Sequence, residues 1–132
     1  MRLLLDTHIL LWALAEPRRL PVLWRERLAD PANEVLVSAA SIWEIAIKRG
    51  LGKAAFGVEP MEVLQSSRTT GFVDLPITGD HAARVLGLEA FHRDPFDRLL
   101  IAQALCEPAY LLTADATLTR YAAPIELITA SS

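Results

Sequence analysis

Cysteine is nearly missing from this chain: Cys106 stands alone among 132 residues. That excludes an internal disulfide framework and a zinc site built from several thiolates. Sitting in the apolar run Leu105-Cys106, the thiol reads as packed core rather than as a nucleophile. An excess of charge of one sign is lacking too, since thirteen Lys and Arg face sixteen Asp and Glu for a net charge of −3. A strongly basic nucleic-acid coat and an acidic disordered tail are thereby excluded. No segment approaches the ~20 uninterrupted apolar residues that cross a bilayer. Leu3-Leu4-Leu5, with Ile9 to Ala15 and its small-residue Ala13-Leu14-Ala15, has the look of a secretion signal, but Asp6 and His8 break its middle. The chain therefore reads as cytoplasmic, with no membrane association. Glycine is scarce, at six residues, and forms no phosphate-cradling loop. A nucleophilic serine elbow is absent as well. His8, His81 and His92 are scattered with no pair at metal-ligand spacing and read as structural or exposed. Trp12, Trp24 and Trp43 read as core or interface, and without aromatics interleaved among the basic residues the sequence shows no base-stacking platform.

What the chain has is apolar residues, 52% of the total, in a length that suits one domain over residues 1–132. Short apolar runs alternate with helical patterns. Strands are expected at 2–6, 33–37, 72–75, 110–113 and 125–128. Helices are expected at 7–15, from Pro21, at 39–49 closed by Gly50, at 60–70 stopped by Gly71, from a Thr78 cap to about Leu88, and within 92–107, with a short one at 115–121. Residues 52–57 read as loop, and the polar tail 129–132 as frayed. Continuous apolar strands separated by helices predict an α/β fold in three layers, a short parallel sheet with helices on both faces. In such sheets ligands sit beyond the carboxyl ends of the strands.

That rule gathers four acids. Asp6 ends the first strand, Asp115 follows another by two residues, Glu44 lies about two turns into the helix after a third, and Asp97 occupies the first turn of the helix opened by Asp94-Pro95. Burying such carboxylates together costs several kcal/mol. A hard divalent cation removes that cost and could activate water and stabilise a leaving oxygen. Each acid also has a plainer role. Asp6, Asp94 and Asp115 can cap helices, Asp97 can close a capping box with Asp94, and Glu44 can pair with Lys48.

At these residues the sequence resembles the PIN-domain nucleases, and among them the VapC-like toxins of bacterial toxin–antitoxin pairs. Leu3-Leu4-Leu5-Asp6-Thr7-His8 looks like that family's first motif, and Ser41-Ile42-Trp43-Glu44-Ile45-Ala46-Ile47-Lys48 like its second. His92-Arg93-Asp94-Pro95-Phe96-Asp97-Arg98-Leu99-Leu100-Ile101-Ala102-Gln103-Ala104 is similar to the third and most specific, and Leu111-Leu112-Thr113-Ala114-Asp115 to the fourth. The resemblance implies a PIN-like fold in which Asp6, Glu44, Asp97 and Asp115 hold one or two Mg²⁺ or Mn²⁺ ions. Thr113 matches the hydroxyl beside the last acid, touching it or the substrate, and Asp94 is kept as a cap. Metal-dependent RNA cleavage, an antitoxin protein partner and a homodimer are implied with it.

Eight of the thirteen basic residues fall in the first 53. Arg18-Arg19, Lys48-Arg49 and Lys53 could line one mouth of the acidic site and contact phosphates, or could be ordinary solvated surface. The helices around Trp24 and Met61 to Leu64 could offer an apolar groove to a partner helix. Two other readings compete with the ribonuclease: a catalytically idle module for dimerisation and antitoxin capture, and a metal-dependent DNA nuclease or phosphoesterase.

Overall fold

A computed structural model describes residues 1–53 and 57–131. Five strands, β1 (Arg2–Leu5), β2 (Glu34–Ser38), β3 (Val73–Leu75), β4 (Tyr110–Thr113) and β5 (Ile125–Leu127), form one sheet in the order β3-β2-β1-β4-β5. Every neighbouring pair is parallel. Among the described residues six α-helices connect them: α1 (Thr7–Ala15), α2 (Val22–Ala29), α3 (Ala39–Gly50), α4 (Pro60–Thr70), α5 (Gly79–Arg84) and α6 (Pro95–Cys106).

The strands lack polar/apolar alternation because both faces are covered. Leu3, Leu5, Val35, Val37 and Leu112 point into a core shared with Ile9, Leu10 and Trp12 of α1, Trp24 of α2, Ile45 of α3 and Val63 of α4. Leu4, Leu36 and Leu111, one residue out of phase, point into a second core with Leu100, Ile101 and Ala104 of α6. The three-layer α/β expectation is therefore what the chain adopts. It builds outward from β1 to β3 in one direction and then crosses back to β4 and β5, so the order reverses at β1/β4. A crevice opens at such a switch point, beyond the carboxyl ends of the strands.

Differences from the sequence reading have local causes. The helix capped by Thr78 stops at Arg84 and tightens into a 3₁₀ turn, Val85–Gly87, rather than running to Leu88. Gly50 stays helical, and it is Gly52, at φ +73°, that supplies the left-handed residue after α3. Gly71 stops α4 as expected, at φ +99°. Cys106 is exposed rather than packed in the core, because it closes α6 where the helix leaves the sheet. Residues 54–56 of the expected loop and Ser132 of the expected tail lie outside the described residues; of that tail, Ser131 donates its N–H to the Arg19 carbonyl at 2.7 Å. Among the described residues, no helix is long and apolar enough to cross a membrane.

One polar network ties α5 to α6. His81, 2% exposed, accepts the Thr78 N–H at Nδ1 (3.0 Å) and meets Glu107 Oε2 at Nε2 (2.6 Å). Gln103 stands beside it, with Nε2 3.3 Å from the ring and Oε1 accepting the Ser38 hydroxyl (2.5 Å). A His81→Ala change leaves buried groups without partners and opens a void, so it is expected to destabilise by about 3 kcal/mol. Urea denaturation monitored by far-UV circular dichroism checks this; an unchanged midpoint would contradict it.

Candidate active site

Parallel strands followed by helices bring strand ends and helix N-termini to the same edge. α1 begins immediately after β1, α3 after β2, and a 3₁₀ helix, Ala116–Arg120, shortly after β4. An open cleft of about 410 Å³ lies at this edge, lined by Asp6, Thr7, His8, Trp12, Glu44, Lys48, His92, Asp94, Asp97, Ala114 and Asp115. All four acids singled out from the sequence face this one cleft.

Asp6, 5% exposed, caps α1 by accepting the Ile9 N–H at Oδ1 (2.9 Å), while its Oδ2 accepts the Thr113 hydroxyl (2.5 Å). Thr113, fully buried at the end of β4, in turn accepts the Asp115 N–H (3.0 Å). One hydroxyl thus locks the acids at the ends of two adjacent strands. Asp115 accepts the N–H (2.9 Å) and hydroxyl (2.6 Å) of Thr117, both at Oδ1. Glu44, in the middle of α3, is 4% exposed. It accepts the Thr7 hydroxyl at Oε1 (2.5 Å) and is paired through Oε2 with the Lys48 ammonium. Asp94 alone caps α6, accepting the N–H groups of Phe96 (2.8 Å) and Asp97 (3.2 Å) at Oδ1. Asp97 spends no oxygen on a reciprocal cap; its Oδ2 lies 2.7 Å from His92 Nε2.

Capping and facing the cleft are compatible, because a cap bond occupies one lone pair of one carboxylate oxygen. The electrostatics register the crowding. Burial above all, with the charges of Glu44 and Asp115 behind it, pushes Asp6 up to about 6 against the Thr113 and Ile9 bonds. Asp97 also rises to about 6, again mainly through burial, with Asp94, Asp6 and Glu44 adding to it and His92 opposing it. Burial pulls Asp115 upward, but the two Thr117 bonds together with His92 and His8 outweigh it and hold its carboxyl below the usual range. Helix N-termini at Asp6 and Asp94 supply partial positive charge that offsets part of the repulsion. Removing the central hydroxyl, as in Thr113→Val, is expected to raise the Asp6 carboxyl further and to cost about 2 kcal/mol at pH 7. Carboxyl titration by NMR together with chemical denaturation reads both effects; an unmoved Asp6 would sink the assignment.

Comparison with known proteins agrees with this architecture. A family model for the PIN domain matches residues 3–124. The chain belongs to the PIN domain family. It is 32% identical over 126 residues to ribonuclease VapC22 of Mycobacterium tuberculosis, with 92% of each chain covered. Among solved structures it is similar to VapBC2 from Rickettsia felis bound to a promoter DNA fragment, with TM-score 0.74, 17% identity, and 97% of this chain and 99% of that one covered. It is also similar to VapBC-1 from nontypeable Haemophilus influenzae, with TM-score 0.63, 18% identity, and 96% and 98% covered. At these identities the structural likenesses speak for the fold.

In this PIN domain, sequence reasoning missed His92, expected to be structural or exposed but standing in the cleft against Asp97. The available signal was its position two residues before a helix cap, within reach of Asp97 in the first turn of α6. Of the basic residues expected at the mouth, Lys48 lines the cleft. Arg49 instead bonds the Gly57 carbonyl and pairs with Glu59, whereas Arg19 lies 4.4 Å from the ring centre of Trp12, which lines the cleft. Of the two helices expected to offer an apolar groove, the one around Trp24 has that ring buried. The other, α4, lines an apolar groove of about 440 Å³ with α3 and β3, formed by Leu64, Ile42 and the exposed Trp43 among others.

Proposed function

We propose that this PIN domain is a divalent-metal-dependent endoribonuclease acting as the toxin of a toxin–antitoxin pair. The observation that carries the reading is the single cleft onto which Asp6, Glu44, Asp97 and Asp115 all open, at the switch point of the sheet. The 32% identity to ribonuclease VapC22 supports RNA as the substrate.

The donor set fits a hard cation. Its members are carboxylate oxygens, the ligands Mg²⁺ and Mn²⁺ prefer. Two of them are held near 6 by burial and mutual repulsion, a penalty that positive charge relieves. Asp6, Glu44, Asp97 and Asp115 would hold one or two such ions, which supply Lewis acidity toward phosphate and water when bound. The protein's own contribution is orientation. Thr113 and the Ile9 N–H fix Asp6, Thr7 and Lys48 fix Glu44, and Thr117 fixes Asp115. Lys48 provides a cation at the rim where a phosphate backbone would pass.

Similarity to VapBC complexes supports an antitoxin protein as partner. The groove beside Trp43 supports an apolar protein contact, and a homodimer is part of the same proposal. A cytoplasmic location is consistent with an RNA substrate and a single, exposed thiol. The test is incubation of the purified chain with RNA and with DNA of matching sequence, with Mg²⁺ or Mn²⁺ and with chelator. Discrete cuts in RNA alone, leaving 5′-phosphate and 3′-hydroxyl ends and vanishing with chelator, are expected. Intact RNA from folded protein under every metal condition would defeat the proposal; equal cutting of DNA would change the substrate class.

A further inference from the structure

His92 has no part in the four-acid set, yet its delivery to the cleft is the most heavily anchored feature of the irregular segment before α6. Arg98, in the second turn of α6, donates from Nη1 to the carbonyls of Glu89 (2.9 Å) and His92 (3.3 Å) and to the Tyr121 hydroxyl (3.2 Å), and from Nη2 to the Val85 carbonyl (3.3 Å). Phe91 packs edge-on against Tyr121 at 5.2 Å, with the Arg120 guanidinium 4.3 Å from the centre of its ring. The imidazole that follows arrives already oriented. One ligand-capable atom each from His92, Asp94 and Asp97 lies within 4.8 Å of the others. Asp94 takes both cap bonds at Oδ1, so its Oδ2 carries neither.

We propose that His92 is a nitrogen donor to the ion at the acidic cleft and makes the site select a first-row transition ion such as Mn²⁺ over Mg²⁺. The proposal rests on the reading of the four acids as a cation site. Neutral imidazole is a good ligand for transition ions, whereas Mg²⁺ keeps to oxygen and water. Two adjacent ligands about 2.1 Å from an ion stand roughly 3 Å apart. His92 Nε2 and Asp97 Oδ2, at 2.7 Å, are near that spacing, so an ion could take the place of the shared proton with a small adjustment of both side chains.

Calorimetric titration of the purified chain with Mn²⁺ and with Mg²⁺, and electron spin-echo measurement of ¹⁴N coupling in the Mn²⁺-loaded protein, test this directly. Wild type is expected to bind Mn²⁺ at least ~10-fold more tightly than Mg²⁺ and to show nitrogen coupling. His92→Ala should weaken Mn²⁺ about 10-fold, leave Mg²⁺ within about 2-fold and abolish the coupling. His8→Ala, removing the other imidazole at the cleft, should keep it. His92→Gln retains a hydrogen-bonding group beside Asp97 and should behave like His92→Ala. Equal weakening of both ions, coupling that survives His92→Ala, or recovery of Mn²⁺ affinity in His92→Gln would overturn the proposal, because His92 would then only orient Asp97. Failure of wild type to bind either ion would overturn it together with the cation-site reading, and so is distinguishable from failure of His92 alone.

Discussion

Asp97→Asn is expected to lower RNA cleavage by about 10³-fold or more, equivalent to ~4 kcal/mol of transition-state stabilisation, in a protein that folds at least as well as wild type. Asparagine keeps the size of the side chain and can still hydrogen-bond His92, but it removes the charge. Asp97 takes no part in capping α6, which Asp94 accomplishes alone. Its carboxyl is held at about 6, chiefly by burial, so at pH 7 its ionised form opposes folding. Loss of function with unchanged or increased stability separates a residue placed for chemistry from one placed for structure. Cleavage at the wild-type rate under matched metal would remove Asp97 from the site.

The metal-free protein should become more stable, not less, as pH is lowered from 7 to about 5. Asp6 and Asp97 titrate near 6 in the folded state, against an ordinary aspartate value near 3.8 in the unfolded chain. Between those values the folded state binds more protons than the unfolded state. Stability from these two groups is therefore full below ~4 and is lost as pH rises through 6, by up to about 3 kcal/mol each. The depressed carboxyls of Glu107 and Asp115 act with the opposite sign, but they lose stability only as pH falls through and below the normal carboxylate range. Urea denaturation in chelator at pH 7 and pH 5 should show the higher midpoint at pH 5, with the difference shrinking in Asp6→Asn and in Asp97→Asn. Saturating Mn²⁺ or Mg²⁺ at pH 7 should restore the lost stability by binding only the folded state. A pH dependence indifferent to both substitutions would refute the electrostatic account of the cleft.

Much of this was legible in the residues because local and global signals agree. Leu3-Leu4-Leu5 and Val35-Leu36-Val37 are apolar at every position, which only a strand covered on both faces tolerates. Asp94-Pro95 announces the start of α6 through a cap and a preset φ. The acids were found by placing strand ends at one edge, a rule of topology that needs no side-chain coordinates. What stayed hidden depends on geometry across the chain. Thr113 meets Asp6 over a separation of 107 residues. His92 stands in the cleft on a segment whose carbonyls at Val85, Glu89 and His92 are held by Arg98. Cys106 looked buried from its neighbours, yet the last residue of a helix can turn outward whatever the run before it suggests. Trp43 and Trp24 are the same residue type in similar helical settings, and only packing against the sheet tells the exposed one from the buried one.

The central position of β1 has a consequence for how this protein is made. β1 is synthesised first but pairs on one side with β4, and its Asp6 is secured by a threonine from the last fifth of the sequence. While the chain is still emerging from a ribosome, β1 has β2 available but lacks β4, Thr113 and Asp115. The cleft therefore has only part of its wall until β4 and the residues just after it have emerged. A cleft built in this order has all four of its acids together only after β4 and Asp115 have joined the sheet.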